Sequence, residues 1–333
     1  MEGVTLMLVV VVALAIVFDY INGFHDTANA IATSVATRAL HPRQAIAMAA
    51  SFNFIGAFAG TAVAKTIGAG LVDENTTTQG VIVAALVGAI AWNLITWYRG
   101  LPSSSSHALI GGLFGATFVA AGPDAFKVDG IISKVLVPMV SSPLIGFAAA
   151  LGLMVALYWL FRNARRHQLS NRFRRLQVLS AGFMAFSHGS NDAQKTMGII
   201  TLALFSAGVI DTVSVPVWVI VIAASAISLG TAVGGWRIMH TMGHRVVKLE
   251  PVHGFAAETT AATVLFTTAH LGMPVSTTHV ISSAIMGVGS ARGTRGVRWG
   301  VARSILIAWI ITIPAAAGVA AGTWLLLHAA GLG

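Results

Sequence analysis

Long apolar runs alternate with short polar breaks along the chain, at about 4–36, 43–68, 79–98, 103–122, 131–161, 178–205, 215–236, 250–271, 276–290 and 299–327. Most reach the ~20 apolar residues a helix needs to cross a bilayer. The pattern predicts an all-α polytopic membrane protein with ten membrane segments. Two runs carry polar residues where hydrocarbon penalises them. The first holds Asn22-Gly23-Phe24-His25-Asp26-Thr27-Ala28-Asn29, and the sixth holds His188-Gly189-Ser190-Asn191-Asp192-Ala193-Gln194-Lys195. Irregular backbone at that depth is tolerated only where protein or a watery cavity satisfies it, so both helices are expected to break there.

Composition agrees with this reading. Of 333 residues, 56% are hydrophobic and 9% charged, against ~25% charged in soluble domains. The mean hydropathy is +0.81. The net charge of +9 sits mostly between apolar runs, where the positive-inside rule explains it, so no nucleic-acid partner is implied. The absence of Cys excludes disulfides and thiolate metal sites. Met1-Glu2-Gly3 lacks a basic n-region, so no cleavable signal peptide is expected.

Lys and Arg also set the orientation. Arg162, Arg165, Arg166, Arg172, Arg174 and Arg175 place the central loop, 162–177, on the cytoplasmic side of the cell membrane. That loop reads as solvated, with anionic lipid within its reach. Counting outward from it puts Arg38–Arg43, Arg237–Lys248 and Arg292–Arg298 inside. Asp73, Glu74, Asp124, Asp129, Asp211 and both termini fall outside. Five segments lie on each side of the loop, and five is odd, so the halves 1–161 and 178–333 have opposite orientation.

The halves share motifs. Gly23 and Asp26 match Gly189 and Asp192 at an offset of 189 − 23 = 166. Pro102-Ser103-Ser104-Ser105-Ser106-His107 matches Pro274-Val275-Ser276-Thr277-Thr278-His279 at 274 − 102 = 172. A weaker pair is Gly60-Thr61-Ala62-Val63 and Gly230-Thr231-Ala232-Val233, at 230 − 60 = 170. Three ordered matches with an odd segment count predict an inverted-topology repeat, which in transporters places the substrate near the midplane on segments from both halves. Segments 79–98 with 103–122, and 250–271 with 276–290, either cross separately or dip in and return as hairpins.

The hydroxyl motifs each follow a Pro and precede a helical run. Ser or Thr at a helix start caps it, and the free N–H groups there attract anions. Either motif alone is better read as a plain cap. Their pairing, and the four successive Ser, turn the reading toward a tetrahedral oxyanion such as phosphate or sulfate. Asp26 and Asp192 would repel that anion unless a cation intervenes. With Asn29, Asn191 and the carbonyls of the expected helix breaks, they offer an oxygen site for Na⁺, or they bind a proton.

Lys195 stands at the repeat position of Asn29 (195 − 166 = 29) and either pairs with Asp192 or faces the anion. Glu258 is a further cation or proton candidate, although its counterpart is Leu86 (258 − 172 = 86). Asn53 and Asn93 are intramembrane amides, and Asn93 is expected to make an interhelical hydrogen bond. His107 and His279 are expected to brace the hydroxyl loops rather than bind metal. His25 is assigned no role.

These residues resemble the PiT family of inorganic phosphate transporters, whose eukaryotic members include sodium–phosphate symporters. Its duplicated G-x-N-D-x-x-N/Q signature resembles residues 23–29 and 189–195, and its P-x-S-S/T-S/T-H motif resembles both hydroxyl stretches. The resemblance spans essentially the whole chain. It implies phosphate bound between the halves by Ser104, Ser105, Ser106, Ser276, Thr277 and Thr278. It also implies a coupling cation, Na⁺ if the protein is sodium-coupled, at Asp26, Asn29, Asn191 and Asp192. His25 departs from the usual Asn, and Asn53 stands where some eukaryotic members have Glu, while Glu258 is retained. The short central loop suggests a minimal, prokaryotic form.

The leading expectation is therefore a symporter that imports phosphate with Na⁺ or H⁺ by alternating access. It needs no cofactor beyond the coupling ion, a homodimer is compatible with it, and metal-phosphate is an alternative form of the substrate. A sulfate permease and an anion channel are the alternatives. An intramembrane hydrolase would need one asymmetric constellation, whereas the candidates here come in pairs.

Overall fold

The computed structural model describes residues 6–332, and the side chains of all of these except Arg166. Every regular element among them is helical, with two isolated β-bridges, Val72 with Phe126 and Val247 with Val297. The helices are α1 (Leu6–Ala36), α2 (Pro42–Gly56), α3 (Ala62–Lys65), α4 (Gln79–Arg99), α5 (Ser105–Ala121), α6 (Val128–Ile131) and α7 (Val137–Leu160). They continue as α8 (Arg166–Ser206), α9 (Val217–Val233), α10 (Trp236–His240), α11 (Pro251–His270), α12 (Thr277–Ser290) and α13 (Trp299–Ala329). The protein is an all-α polytopic membrane protein.

The order of elements in 6–160 returns in 166–329. Each half has a long polar-centred helix, a bent pair, a helical hairpin and a last long helix. Both bent pairs turn sharply, by 65° between 42–59 and 62–70 and by 61° between Val217–Val233 and Trp236–Arg245. Both hairpins close at their base with one β-bridge and one ion pair. These pairs are Lys127 Nζ to Glu74 Oε2 at 2.5 Å and Arg292 Nη2 to Glu250 Oε1 at 2.9 Å. Partial burial opposes the Arg292 charge, but hydrogen bonds with Glu250 and Tyr158 outweigh it and raise the guanidinium pKa.

Among the described residues, four helices are long and apolar enough to cross a membrane alone: α1, α4, the 128–160 run and α13. Each bent pair reaches that length only as a unit. Among the described residues, length and composition thus give four spans, or six if each bent pair counts as one. With 17 and 14 residues, α5 and α12 extend only ~26 Å and ~21 Å, short of the ~30 Å hydrocarbon core. They pack against α4 and α11 respectively, as the hairpin alternative requires.

The helix breaks are not where the polar stretches predict them. Both α1 and α8 run unbroken through Asn22-Gly23 and His188-Gly189. His188 is met sideways by Asn53 of α2, and the backbone keeps its own ladder through both stretches. The glycines serve close approach instead. A Cβ on Gly23 would overlap the Ile227 carbonyl, and one on Gly189 would overlap that of Asn53. Chain direction changes instead at Gly60 and at Gly234-Gly235, with Gly234 at φ 80°. The third repeat match also shifts. Gly60 lies in its break, whereas Gly230 lies in the last turn of α9, packed on Tyr20.

The expected loop 162–177 is mostly helix. Only 161–165 is irregular, and α8 begins at Arg166. Its 41 residues carry a basic, exposed first stretch and a buried polar centre.

Gly189→Val is predicted to destabilise the protein by ~1–3 kcal/mol through overpacking against α2. Thermal unfolding in detergent checks this; an unchanged midpoint would mean that α8 and α2 are not in close contact.

Candidate functional site

A polar stripe runs down α1. Asp19, Asn22, Asp26, Asn29 and Thr33 recur every three or four residues and share one helix face. All five are buried. Against α1 lies α8, which buries His188, Asn191, Asp192, Lys195 and Thr196. The tips of the two hairpins, before α5 and α12, bring the hydroxyl motifs to the same place.

Around Asp26, Oδ1 lies 2.6 Å from His25 Nδ1, and Oδ2 accepts from Ser105 Oγ at 2.9 Å. The other ring nitrogen of His25 lies 3.1 Å from Thr96 Oγ1 and 3.4 Å from Ser103 Oγ. His25, which the sequence left without a role, thus ties Asp26 to α4 and to the first hydroxyl motif. Around Asp192, Oδ1 accepts from Lys195 Nζ at 2.5 Å. Its Oδ2 lies 3.5 Å from Thr277 Oγ1 and 3.4 Å from His188 Nε2. Of the two expectations for Lys195, the structure realises the ion pair.

The contacts of Ser105 with Asp26 and Thr277 with Asp192 are repeat-related, since 277 − 105 = 172 and 192 − 26 = 166. Each carboxylate is reached by the first hydroxyl after its own half's cap. The halves also interlock. Asn29 Nδ2 donates to Thr277 Oγ1 at 3.2 Å and to Thr278 Oγ1 at 2.9 Å.

Ser104 and Ser276 are N-caps, accepting from the backbone N–H of His107 and His279 at 3.1 Å each. The bland reading holds for these two hydroxyls, although a capping oxygen keeps its own hydrogen to donate. Ser106 Oγ donates to the Val275 carbonyl at 3.2 Å. The His107 and His279 rings meet edge to face with centroids 4.6 Å apart, and His279 stacks on Trp309 at 3.8 Å.

Several buried polar atoms have no hydrogen-bond partner. They include Asn22 Oδ1, both side-chain polar atoms of Asn191, Asn29 Oδ1, His107 Nδ1 and Ser190 Oγ. An unmet buried polar group costs ~1–3 kcal/mol. The oxygens among them, with the two carboxylates, form a set suited to a hard cation. Asp26, His188 and Asp192 each offer a ligand atom, all within 4.8 Å of one another.

Other expectations fare differently. Glu258 accepts from Thr33 Oγ1, from Gln177 Nε2 at 3.1 Å and from Ser180 Oγ at 2.5 Å. It forms a separate cluster one turn of α1 beyond Asn29. Asn53 links His188 Nδ1 (3.0 Å) to Thr231 Oγ1 (2.8 Å). Asn93 is buried without the interhelical bond expected of it.

Sequence reasoning missed Asp19, His188 and Thr96. Asp19 could have been found, because it lies seven residues before Asp26 on the same helix face. His188 had a signal in its own spacing, four residues before Asp192. Thr96 had none, since only the fold brings α4 to α1.

Residues 22–320 match the phosphate transporter family. The chain is 46% identical over 331 residues to a probable low-affinity inorganic phosphate transporter of Bacillus subtilis, covering 98% of this chain and 99% of that one. It is 50% identical over 317 residues to a protein of the same description from Rhizobium meliloti, covering 95% of each. Among solved structures it resembles one described as the sodium-dependent phosphate transporter. The TM-score is 0.86 at 27% identity, covering 97% of this chain and 99% of that one.

Lys195→Met is predicted to destabilise by ~3–5 kcal/mol, because it strands the buried Asp192 charge. Adding Asp192→Asn should restore most of the loss. Thermal melting of the single and double variants checks this; additive losses would contradict the ion pair.

Proposed function

Because this chain belongs to the phosphate transporter family, we propose that it carries inorganic phosphate inward across the cell membrane, in symport with a cation, by alternating access between its halves. One observation carries the reading. The hydroxyls that would hold the anion donate to the carboxylates that would hold the cation, Ser105 to Asp26 at 2.9 Å, with Thr277 beside Asp192 at 3.5 Å. Anion and cation would share one set of buried charges, so each would bind better with the other present. The unpartnered donors nearby, His107 Nδ1, Asn191 Nδ2 and Ser190 Oγ, would complete the oxyanion's shell.

A carboxylate within reach of these hydroxyls supports phosphate over sulfate. At neutral pH phosphate keeps a proton to donate to Asp26, and sulfate has none. A hydrolase is not favoured. Ser103, His25 and Asp26 follow one another in the order of a catalytic triad, but the Ser103 hydrogen goes to Thr96 Oγ1 at 2.8 Å, and all three residues are buried. An unselective anion channel would have no use for paired buried carboxylates.

Two readings of the cation have support. The solved relative described as sodium-dependent, and the unpartnered oxygens of Asn22, Asn29 and Asn191, support Na⁺. The basic side chain already on each carboxylate, His25 on Asp26 and Lys195 on Asp192, supports H⁺. The two long faces of the molecule would sit as the basic residues indicate, with 161–165 and the start of α8 cytoplasmic.

In proteoliposomes, an imposed sodium gradient and an imposed pH gradient should separate the two, one of them driving phosphate accumulation. Accumulation under neither would sink the symport reading. Asp26→Asn and Asp192→Asn should lower gradient-driven uptake by about 5- to 150-fold, the span of ordinary coupling energies. Normal uptake by either variant would refute its cation role. Ser105→Ala with Thr277→Ala should weaken apparent phosphate affinity by about tenfold or more; an unchanged affinity would leave those hydroxyls as structural.

A further inference from the structure

Each bent pair holds the opposite half's hairpin at its tip. Thr66 Oγ1 donates to the Gly272 carbonyl at 2.7 Å, and Thr241 Oγ1 donates to the Gly100 carbonyl at 3.0 Å. One cation braces each tip as well. Lys134 Nζ donates to Leu271 O at 2.9 Å, and Arg237 Nη1 donates to Tyr98 O at 2.5 Å. The two tips are thus secured in the same way, and neither needs further charge.

The second of these places has further charge nevertheless. A cavity of about 370 Å³ opens beside Gly100, lined by Tyr98, Arg99, Arg237, His240, Thr241 and Arg245. Three guanidinium groups and an imidazole line it, and no carboxylate does. None of the three arginines takes part in an ion pair among the described residues. Arg237 is fixed, with its guanidinium 4.8 Å from the Tyr98 ring centre and 5.6 Å from that of Trp97. At the matched place in the other half, Arg237 corresponds to Ala62 (237 − 175), Arg245 to Gly70 (245 − 175) and Arg99 to Leu271 (99 + 172), and only His240 has a basic counterpart, Lys65 (240 − 175). The offset of 175 is that of Thr241 from Thr66 (241 − 66).

The positive-inside bias accounts for the sign of these residues. It does not account for three of them meeting at one cavity without a counter-charge, where like charges repel. Guanidinium groups bind phosphate oxygens in pairs, as a fork. We propose that this cavity is a second anion site, distinct from the buried hydroxyl site, which takes a phosphate group between Arg99 of the first half and Arg237 and Arg245 of the second. The group is either free inorganic phosphate or the phosphodiester of an anionic lipid headgroup. Tyr98 and Trp236 beside the cavity are exposed, so an anion can reach it from outside the molecule. Its occupancy would tie the hairpin bearing Ser103–Ser106 to the bent pair of the other half.

The test compares wild type with an Arg99→Gln/Arg245→Gln variant; Arg237 is left intact because it braces the tip. In nanodiscs of phosphatidylcholine, equilibrium dialysis with labelled phosphate counts bound anions per chain. In nanodiscs containing phosphatidylglycerol, native mass spectrometry counts retained lipid. One phosphate more on wild type than on the variant, or a loss of roughly tenfold in that component's affinity per guanidinium removed, assigns the site to free phosphate. Equal phosphate counts, with one phosphatidylglycerol retained by wild type and lost in the variant, assign it to the headgroup. Equal counts in both arms overturn the proposal. The comparison is a difference between two proteins, so it stands whether or not the buried hydroxyl site also binds phosphate.

Discussion

A carboxylate far from water must be met by charge or by hydrogen bonds, and most of this molecule follows from meeting two of them. Asp26 and Asp192 sit on the facing stripes of α1 and α8, both buried. Each is met by a basic side chain of its own helix, His25 or Lys195, and by a hydroxyl from its own half's hairpin. The hairpins must therefore end at the depth of the carboxylates, which explains why α5 and α12 are short and begin buried. The hairpin tips need support at that depth, and the bent pairs supply it through Thr66 and Thr241. Glycines at 23 and 189 let the neighbouring helices close over the site.

Much of this was legible in the sequence because polar residues in apolar runs are costly and so rarely idle. Asp26, Asp192, Asn29 and the hydroxyl motifs stood out for that reason, and the structure brings them together. The backbone was less legible. Asn-Gly and His-Gly inside a run read as helix breaks, yet the backbone ladder runs on through both. The true turning points, Gly60-Thr61 and Gly234-Gly235, carry no charged or amide side chain to advertise them. Asp19 escaped notice because the motif began three residues later. Ser104 and Ser276 look like their neighbours in sequence, and only the geometry separates capping hydroxyls from those facing a carboxylate.

The departures from two-fold likeness are as informative as the likeness. Asn29 reaches across to Thr277 and Thr278, while Lys195 at the matched position stays on Asp192. Glu258 has a hydroxyl and amide cage of Thr33, Gln177 and Ser180, where the other half has Leu86. A pair of identical halves would bind cation and anion with equal strength from either side. Unequal residues at matched places let the two faces differ, which a pump driven by one gradient can use.

The central claim is that the carboxylates and the hydroxyls form one thermodynamically coupled site. The direct measurement is the Kd for phosphate on the purified protein, with and without Na⁺ at constant ionic strength and across a pH series. Coupling predicts that saturating cation, Na⁺ or H⁺, tightens phosphate binding by about 5- to 150-fold, and that phosphate tightens cation binding by the same factor. A phosphate Kd independent of both cations would contradict the account.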